Sequence, residues 1–200
     1  MTQQQGIKKI VIIQGHPDDH DHHYGHALAE SYIRGAQEAG HELKNIKVSK
    51  LQFAVLRTRK DWEKGSPDND IEQAQEAIEW ADHIAIFYPL WLGTMPALLK
   101  AFFEQVLRPG FAIDTSAGGK TWKKNLTGRS ARIVITMGMP AFVYRWYFRA
   151  HSLKSLERNI LGLCGIAPIK ESLIGAVEDA DSARHEKWLA KMHTLGRAGR

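Results

Sequence analysis

Cysteine is nearly absent from this chain. Cys164 is the only one in 200 residues. A lone thiol excludes an internal disulfide and fits a reducing cytoplasm, so a cytoplasmic location is expected. Cys164 lies in an apolar run, which suits a buried, inert thiol better than a nucleophile. Long hydrophobic runs are also missing. Met1–Lys9 is polar and the apolar stretch after it is only a few residues, so neither a signal peptide nor a membrane span is expected. Charge of neither sign dominates: 27 basic and 22 acidic residues leave a formal +5. The basic residues are spread out. Their densest cluster (Lys120, Lys123, Lys124, Arg129) reads as a solvated loop, and no nucleic-acid partner is expected. There is no internal repeat and no low-complexity linker. Neither G-x-G-x-x-G nor a Walker loop occurs. Gly118-Gly119-Lys120-Thr121 has only the tail of the latter, because Asp114 stands where its first glycine belongs and no strand feeds into it.

What is present is an alternation of strand and helix patterns. Ile7–Gln14 is a β-branched run ending at Gly15, as a central strand covered on both faces requires. A helix is predicted over Tyr24–Ala39, with Gly40 ending it. His41–Val48 is a more polar strand, suited to a sheet edge. Ser66 is predicted to cap a helix that has Pro67 in its first turn. The strand His83–Tyr88 and the helix Met95–Leu107 follow, then a long irregular segment, Arg108–Ser130. A fourth strand is predicted at Ala131–Met137, a helix near His151–Leu161, a fifth strand about Ile166–Ile174, and a last helix over Ser182–Leu195. Such alternation implies right-handed βαβ units and one α/β domain over residues 1–200. Its parallel sheet would have five strands in the order 2-1-3-4-5. The switch point between strands one and three brings two loops together at a ligand: Gly15–Gly25 and Pro89–Pro96.

Both loops are unusual. Pro89–Pro96 is apolar where most loops are polar. It offers Trp91, Gly93 and backbone N–H groups, which suit a flat apolar ligand with a polar rim. Gly15–His26 holds five of the ten histidines and three aspartates, and three readings of it compete. It runs into a helix N-terminus, whose N–H groups and dipole favour a phosphate. His and Asp together are also zinc ligands, and His16-Pro17-Asp18-Asp19 resembles the His-Pro-Asp-Asp-Glu motif of zinc-dependent N-acetylglucosaminyl deacetylases. Here His20 replaces the Glu, and the later histidine pair of that family has no counterpart. The third reading is a polar surface loop with incidental histidines.

Taken together, these segments resemble the NAD(P)H:quinone oxidoreductase family of flavodoxin-like three-layer sandwiches. The likeness rests on Gly15-His16-Pro17 with Ala27-Leu28, on Thr136-Met137-Gly138, and most specifically on Pro89-Leu90-Trp91, Pro96–Lys100 and Phe103–Leu107. It implies a bound flavin, FAD with FMN as the alternative, and NAD(P)H as co-substrate. Hydride would pass to a quinone or similar acceptor by a ping-pong mechanism. His16, His20, Asp21, His22, His23 and Gly25 would hold the flavin phosphates. Pro89, Leu90, Trp91, Leu92 and Gly93 would lie against the ring, and Thr136, Met137, Gly138 and Met139 would border its far end. No resident metal is implied. The resemblance also implies a homodimer whose partner completes the site. Tyr144 matches, by spacing from the fourth strand, one of a catalytic Tyr and His pair in mammalian members, and His151 matches the other with a one-residue shift. Leu92-Gly93 stands where many members have an aromatic pair, which makes the acceptor the open question. Two alternatives remain: the zinc deacetylase, and an ancillary regulatory subunit that keeps the fold and serves a membrane transport partner.

Overall fold

β1 (Lys9–Gln14) is buried from Ile10 onward. Its side chains alternate between two cores, Ile10 and Ile12 facing one, Val11 and Ile13 the other. That is the pattern of a strand covered on both faces. The computed structural model describes residues 6–20, 22–114, 122–178 and 181–200. Parallel to β1 run β2 (Glu42–Lys47), β3 (His83–Pro89), β6 (Ser130–Thr136) and β7 (Ile169–Ile174), in the order β2-β1-β3-β6-β7. Between β3 and β6 in sequence, β4 (Ile113–Asp114) and β5 (Lys123–Lys124) form a separate antiparallel pair. The expected order 2-1-3-4-5 therefore describes the main sheet with its own strands counted alone. Two-residue strands are too short to show a period, so this pair leaves no signal in the sequence.

One face of the sheet is covered by α1 (Tyr24–Glu38) and α7 (Ser182–Arg197), through Leu28, Tyr32 and Met192. The other carries α3 (Asn69–Trp80), α4 (Ala97–Val106) and a continuous helical segment. That segment comprises α5 (His151–Lys154), a π-helical stretch Ser155–Leu161 and α6 (Gly162–Cys164). Burying Leu28 or Phe102 contributes about 1.5–3 kcal/mol each. Gly40 takes φ +79° and its N–H bonds to Gln37 O at 2.9 Å, closing α1 as expected.

The Ser66 cap is corrected. α3 starts at Asn69 after Asp68. The Asp68 and Asp70 carboxylates accept instead from Ala54 N–H (3.0 Å) and Gln52 N–H (2.7 Å). They pin the preceding connection, which includes an unforeseen short helix, α2 (Arg59–Lys64), capped by Thr58. Registry aligns the strand ends that matter: Gln14 with Phe87, Pro89 with Thr136, Thr136 with Ile174.

Candidate active site

The first loop leaves β1 at Gly15, whose N–H bonds to Phe87 O at 2.7 Å and whose Cβ, if present, would meet Leu99 at 2.5 Å. A side chain there would force Leu99 of α4, packed beneath the turn, to shift. Asp18 organises the loop. Its carboxylate takes His23 Nε2 at 2.8 Å and pairs with His20 Nδ1. Its carbonyl lies 3.0 Å from His26 Nε2, and its N–H donates to His16 Nδ1 at 3.1 Å. The bonds from His23 and His20 hold the Asp18 carboxyl well below the usual carboxylate range. His16 and His23 stack at 3.9 Å. Burial, then the His23 charge, keep His16 below the ordinary imidazole range. His26 Nδ1 also lies 2.7 Å from Gln14 Oε1, and Gln14 Nε2 donates to Asn45. α1 begins after His23 with no side-chain cap on its first N–H groups. A Cβ at Gly25 would meet nothing within 4 Å, so space stands open at that first turn.

The second loop is a tight hairpin turn. Trp91 and Thr94 exchange backbone bonds of 2.8 and 3.0 Å, and Leu92 (φ +46°) and Gly93 (φ +77°) are both left-handed. Two positive φ values at the centre mark a type I′ turn. Holding a leucine there costs roughly 1–2 kcal/mol, yet its side chain is fully exposed. The N–H of Leu90 is spent on Thr136 O at 2.8 Å. Among the described residues, those of Leu92 and Gly93 have no protein acceptor. The Trp91 ring is half exposed and meets His16 edge-on at 5.6 Å, so the two loops touch. Beside Trp91 an apolar groove of about 520 Å³ runs between the loop and α5, lined by Leu92, Met95, Pro96, Ser152 and Ile160. A larger groove, about 690 Å³, lies between β2 and α3 and is lined by Lys44, Lys47 and Glu76, away from both loops.

The third loop, after Thr136, is braced by the turn after β7. Met137 O accepts from Val177 N–H at 3.3 Å and Met139 O from Ala176 N–H at 3.0 Å. A Cβ at Gly175 would stand 2.2 Å from Ala141 N, so these two turns are in backbone contact.

The structure thus brings His16, His20, His22, His23 and Gly25 to one crevice edge, with Trp91 against them. Pro89 and Leu90 pair with the end of β6, where Thr136–Met139 begin. Asp21 lies outside the described residues. Tyr144 is buried. The aromatic run is wound into a π-helical turn, Val143–Tyr147, that sends Tyr144 inward to 1% exposure and leaves Phe142, Trp146 and Tyr147 outside. Its hydroxyl pairs with Ser152 Oγ at 2.7 Å and accepts the Leu153 N–H at 3.0 Å. It caps α5, whose N-cap residue Ala150 has no polar side chain to do so, and its partner Ser152 lines the groove beside Trp91. His151 is exposed on the first turn of α5. Sequence reasoning missed Asp18 as the organising residue. Its signal was there, a carboxylate two and five residues before His20 and His23. Among the described residues no three His, Cys, Asp or Glu side chains converge as metal ligands.

Residues 8–195 match the family described as flavodoxin-like fold. The chain belongs to that family. This flavodoxin-like chain is 27% identical over 175 residues to an uncharacterized NAD(P)H oxidoreductase of Haemophilus influenzae, covering 86% of this chain and 85% of that one. It is 30% identical over 139 residues to the glutathione-regulated potassium-efflux system ancillary protein KefG of Cronobacter sakazakii, covering 68% of this chain and 62% of that one. Among solved structures it is similar to NAD(P)H:quinone oxidoreductase from Methanothermobacter marburgensis, with a TM-score of 0.77 over 96% of each chain. At 23% identity that likeness is one of fold.

Proposed function

We propose that this chain is a flavin-dependent NAD(P)H oxidoreductase acting on a quinone or a similar flat acceptor. The observation that carries this reading is the contact of His16 with Trp91, which joins a phosphate-suited helix N-terminus to an aromatic shelf at the switch point. The residues present fit a flavin. The uncapped start of α1, with His16, His20, His22 and His23, would hold its phosphates, and the open space at Gly25 admits them. Trp91 would lie along the ring, the N–H groups of Leu92 and Gly93 would meet its polar edge, and Thr136–Met139 would close the far side. Bound there, a flavin supplies the redox chemistry, and the protein supplies binding, orientation and exclusion of water. No side chain of the chain need act as nucleophile. His151, exposed at the start of α5, is the titratable group offered to developing charge. A single crevice serving both NAD(P)H and acceptor implies alternate occupancy, hence a ping-pong order. FAD is the cofactor proposed, with FMN as the alternative. A homodimer is proposed through the apolar face around Leu92 and its groove, because so exposed a leucine beside an apolar trough suits a partner surface.

The test starts with the protein as purified. A flavin absorbance, bleached anaerobically by NADH or NADPH and restored by a quinone, with parallel double-reciprocal lines, is expected. Acid extraction and chromatography then identify FAD or FMN. Purification without flavin, and failure to take it up, would overturn the reading. The likeness to KefG favours a second reading, an ancillary subunit of a membrane transport system. It predicts flavin binding with feeble turnover and a stable membrane-protein partner on pull-down.

A further inference from the structure

Between β6 and α5 the chain presents a surface that the crevice does not use. Of the six exposed aromatic side chains among the described residues, four fall within Phe142–Phe148. Phe142 is 66% exposed, Trp146 77% and Tyr147 80%. Trp146 and Tyr147 follow Phe142 by one turn of the π-helical stretch, so the three share a side. Phe148 packs edge-on against Tyr147 at 4.9 Å. Rings this exposed project from the surface and do not line a groove. The turn that carries them is fixed from below. Val143 O accepts the Phe148 N–H at 3.2 Å, and the carbonyl of buried Tyr144 accepts the Ala150 N–H at 3.0 Å. Arg149 (φ +53°) and Ala150 (φ +47°) are consecutive left-handed residues that turn the chain into α5 at a steric cost. A strained, anchored turn that holds large apolar rings in water marks a contact surface.

The charges beside the rings select the partner. A cleft of about 480 Å³ next to Trp146 is lined by Arg145, Arg149 and Lys154, with Glu157 and Glu171 also on its wall. Glu171 is ion-paired with Arg145 at 2.9 Å. Burial, then the Glu171 charge, raise the Glu157 carboxyl above its ordinary range. Among the described residues neither Arg149 nor Lys154 has an ion-pair partner, so the cleft keeps two cations for an anion. A second copy of this chain, docked by a two-fold axis, would set Arg145 and Arg149 against themselves. A nucleic acid needs a continuous basic track with rings along it, and here two carboxylates interrupt the cations. A bilayer surface takes the whole set: Trp and Tyr at headgroup depth, Phe at the acyl boundary, Arg and Lys on lipid phosphate. The formal charge of +5 agrees in sign.

We propose that Phe142–Arg149 is a membrane-contacting turn. It seats Phe142, Trp146 and Tyr147 in the headgroup region of an anionic bilayer leaflet and sets Arg149 and Lys154 against its phosphates. The binding is peripheral and reversible, and it stands whether or not the crevice holds a flavin.

The full-length protein is mixed with vesicles of phosphatidylcholine alone, or of phosphatidylcholine with phosphatidylglycerol, and bound protein is read by co-sedimentation. Binding to the mixed vesicles should be at least about tenfold tighter than to neutral ones, and should weaken as salt rises. Brominated acyl chains should quench part of the tryptophan fluorescence, because the Trp146 ring reaches the acyl boundary. The double variant Trp146→Ser, Tyr147→Ser should bind about tenfold more weakly and lose the quenching. Arg149→Glu should cut the preference for phosphatidylglycerol about tenfold. These side chains are exposed, so each variant should keep the wild-type thermal midpoint. A wild type that binds neither vesicle overturns the proposal. So does binding without quenching, or binding that the double variant retains in full. A double variant of altered oligomeric mass also overturns it, because the turn would then be a protein contact.

Discussion

The chemistry of single side chains here depends on whether burial has left them a partner. His83 is neutral in the fold because burial and the nearby Lys8, Arg132 and His41 charges lower its affinity for protons from an ordinary 6.5 to about 3. Between those values the unfolded chain binds the proton and the native state does not. Stability from this residue is therefore complete above pH 6.5 and declines as pH falls toward 3, by an amount of the order of several kcal/mol. Urea titrations between pH 7 and 4 should show that slope, and a His83→Asn variant should flatten it. Tyr144 makes the complementary case. Its hydroxyl is the acceptor for the Leu153 N–H and the partner of Ser152. Tyr144→Phe should lower stability by about 1–3 kcal/mol, because a buried donor loses its acceptor. If the hydroxyl serves only as this cap, the rate of flavin reduction by NAD(P)H should stay within twofold, and a large fall in that rate at unchanged stability would assign it a catalytic role.

At the scale of elements, α1 and α7 lie in backbone contact. A Cβ on Gly35 would stand 2.0 Å from His193 O, and one on Gly196 would stand 2.0 Å from Tyr32 O. Neither obstacle is a side chain that could turn aside, so the helices must separate. Gly35→Ala should cost at least 1–3 kcal/mol despite alanine's better helix propensity, read as a lower midpoint in thermal unfolding. If Gly35→Ala is neutral or stabilising, the close approach is not as drawn. The same separation would disturb Tyr32. The Trp91–Thr94 turn works differently. Its strain lies at Leu92, in a projecting corner supported by two cross-turn bonds.

For the whole molecule, the question is what covers the apolar corner around Leu92. A homodimer through it should elute at twice the monomer mass, and Leu92→Asp should yield a monomer, since burying a carboxylate there is costly. A monomeric wild type would remove the dimer from the proposal. Among the described residues no helix is long and apolar enough to cross a membrane. Much of this architecture was legible in the residues. Strand periodicity, Gly40, and the Pro89 and Pro96 breaks are local signals, and βαβ handedness turns local signals into a topology with one switch point. The sequence alone therefore determined the parallel sheet, its neighbour order and which two loops meet. The tertiary structure decided what each polar group in them faces. It set Asp18 among His20 and His23, turned Tyr144 inward to cap α5, and buried His83 among positive charges. Period and propensity depend on neighbours along the chain. Electrostatic partnership depends on neighbours in space, and only packing of the strands and helices brought those together.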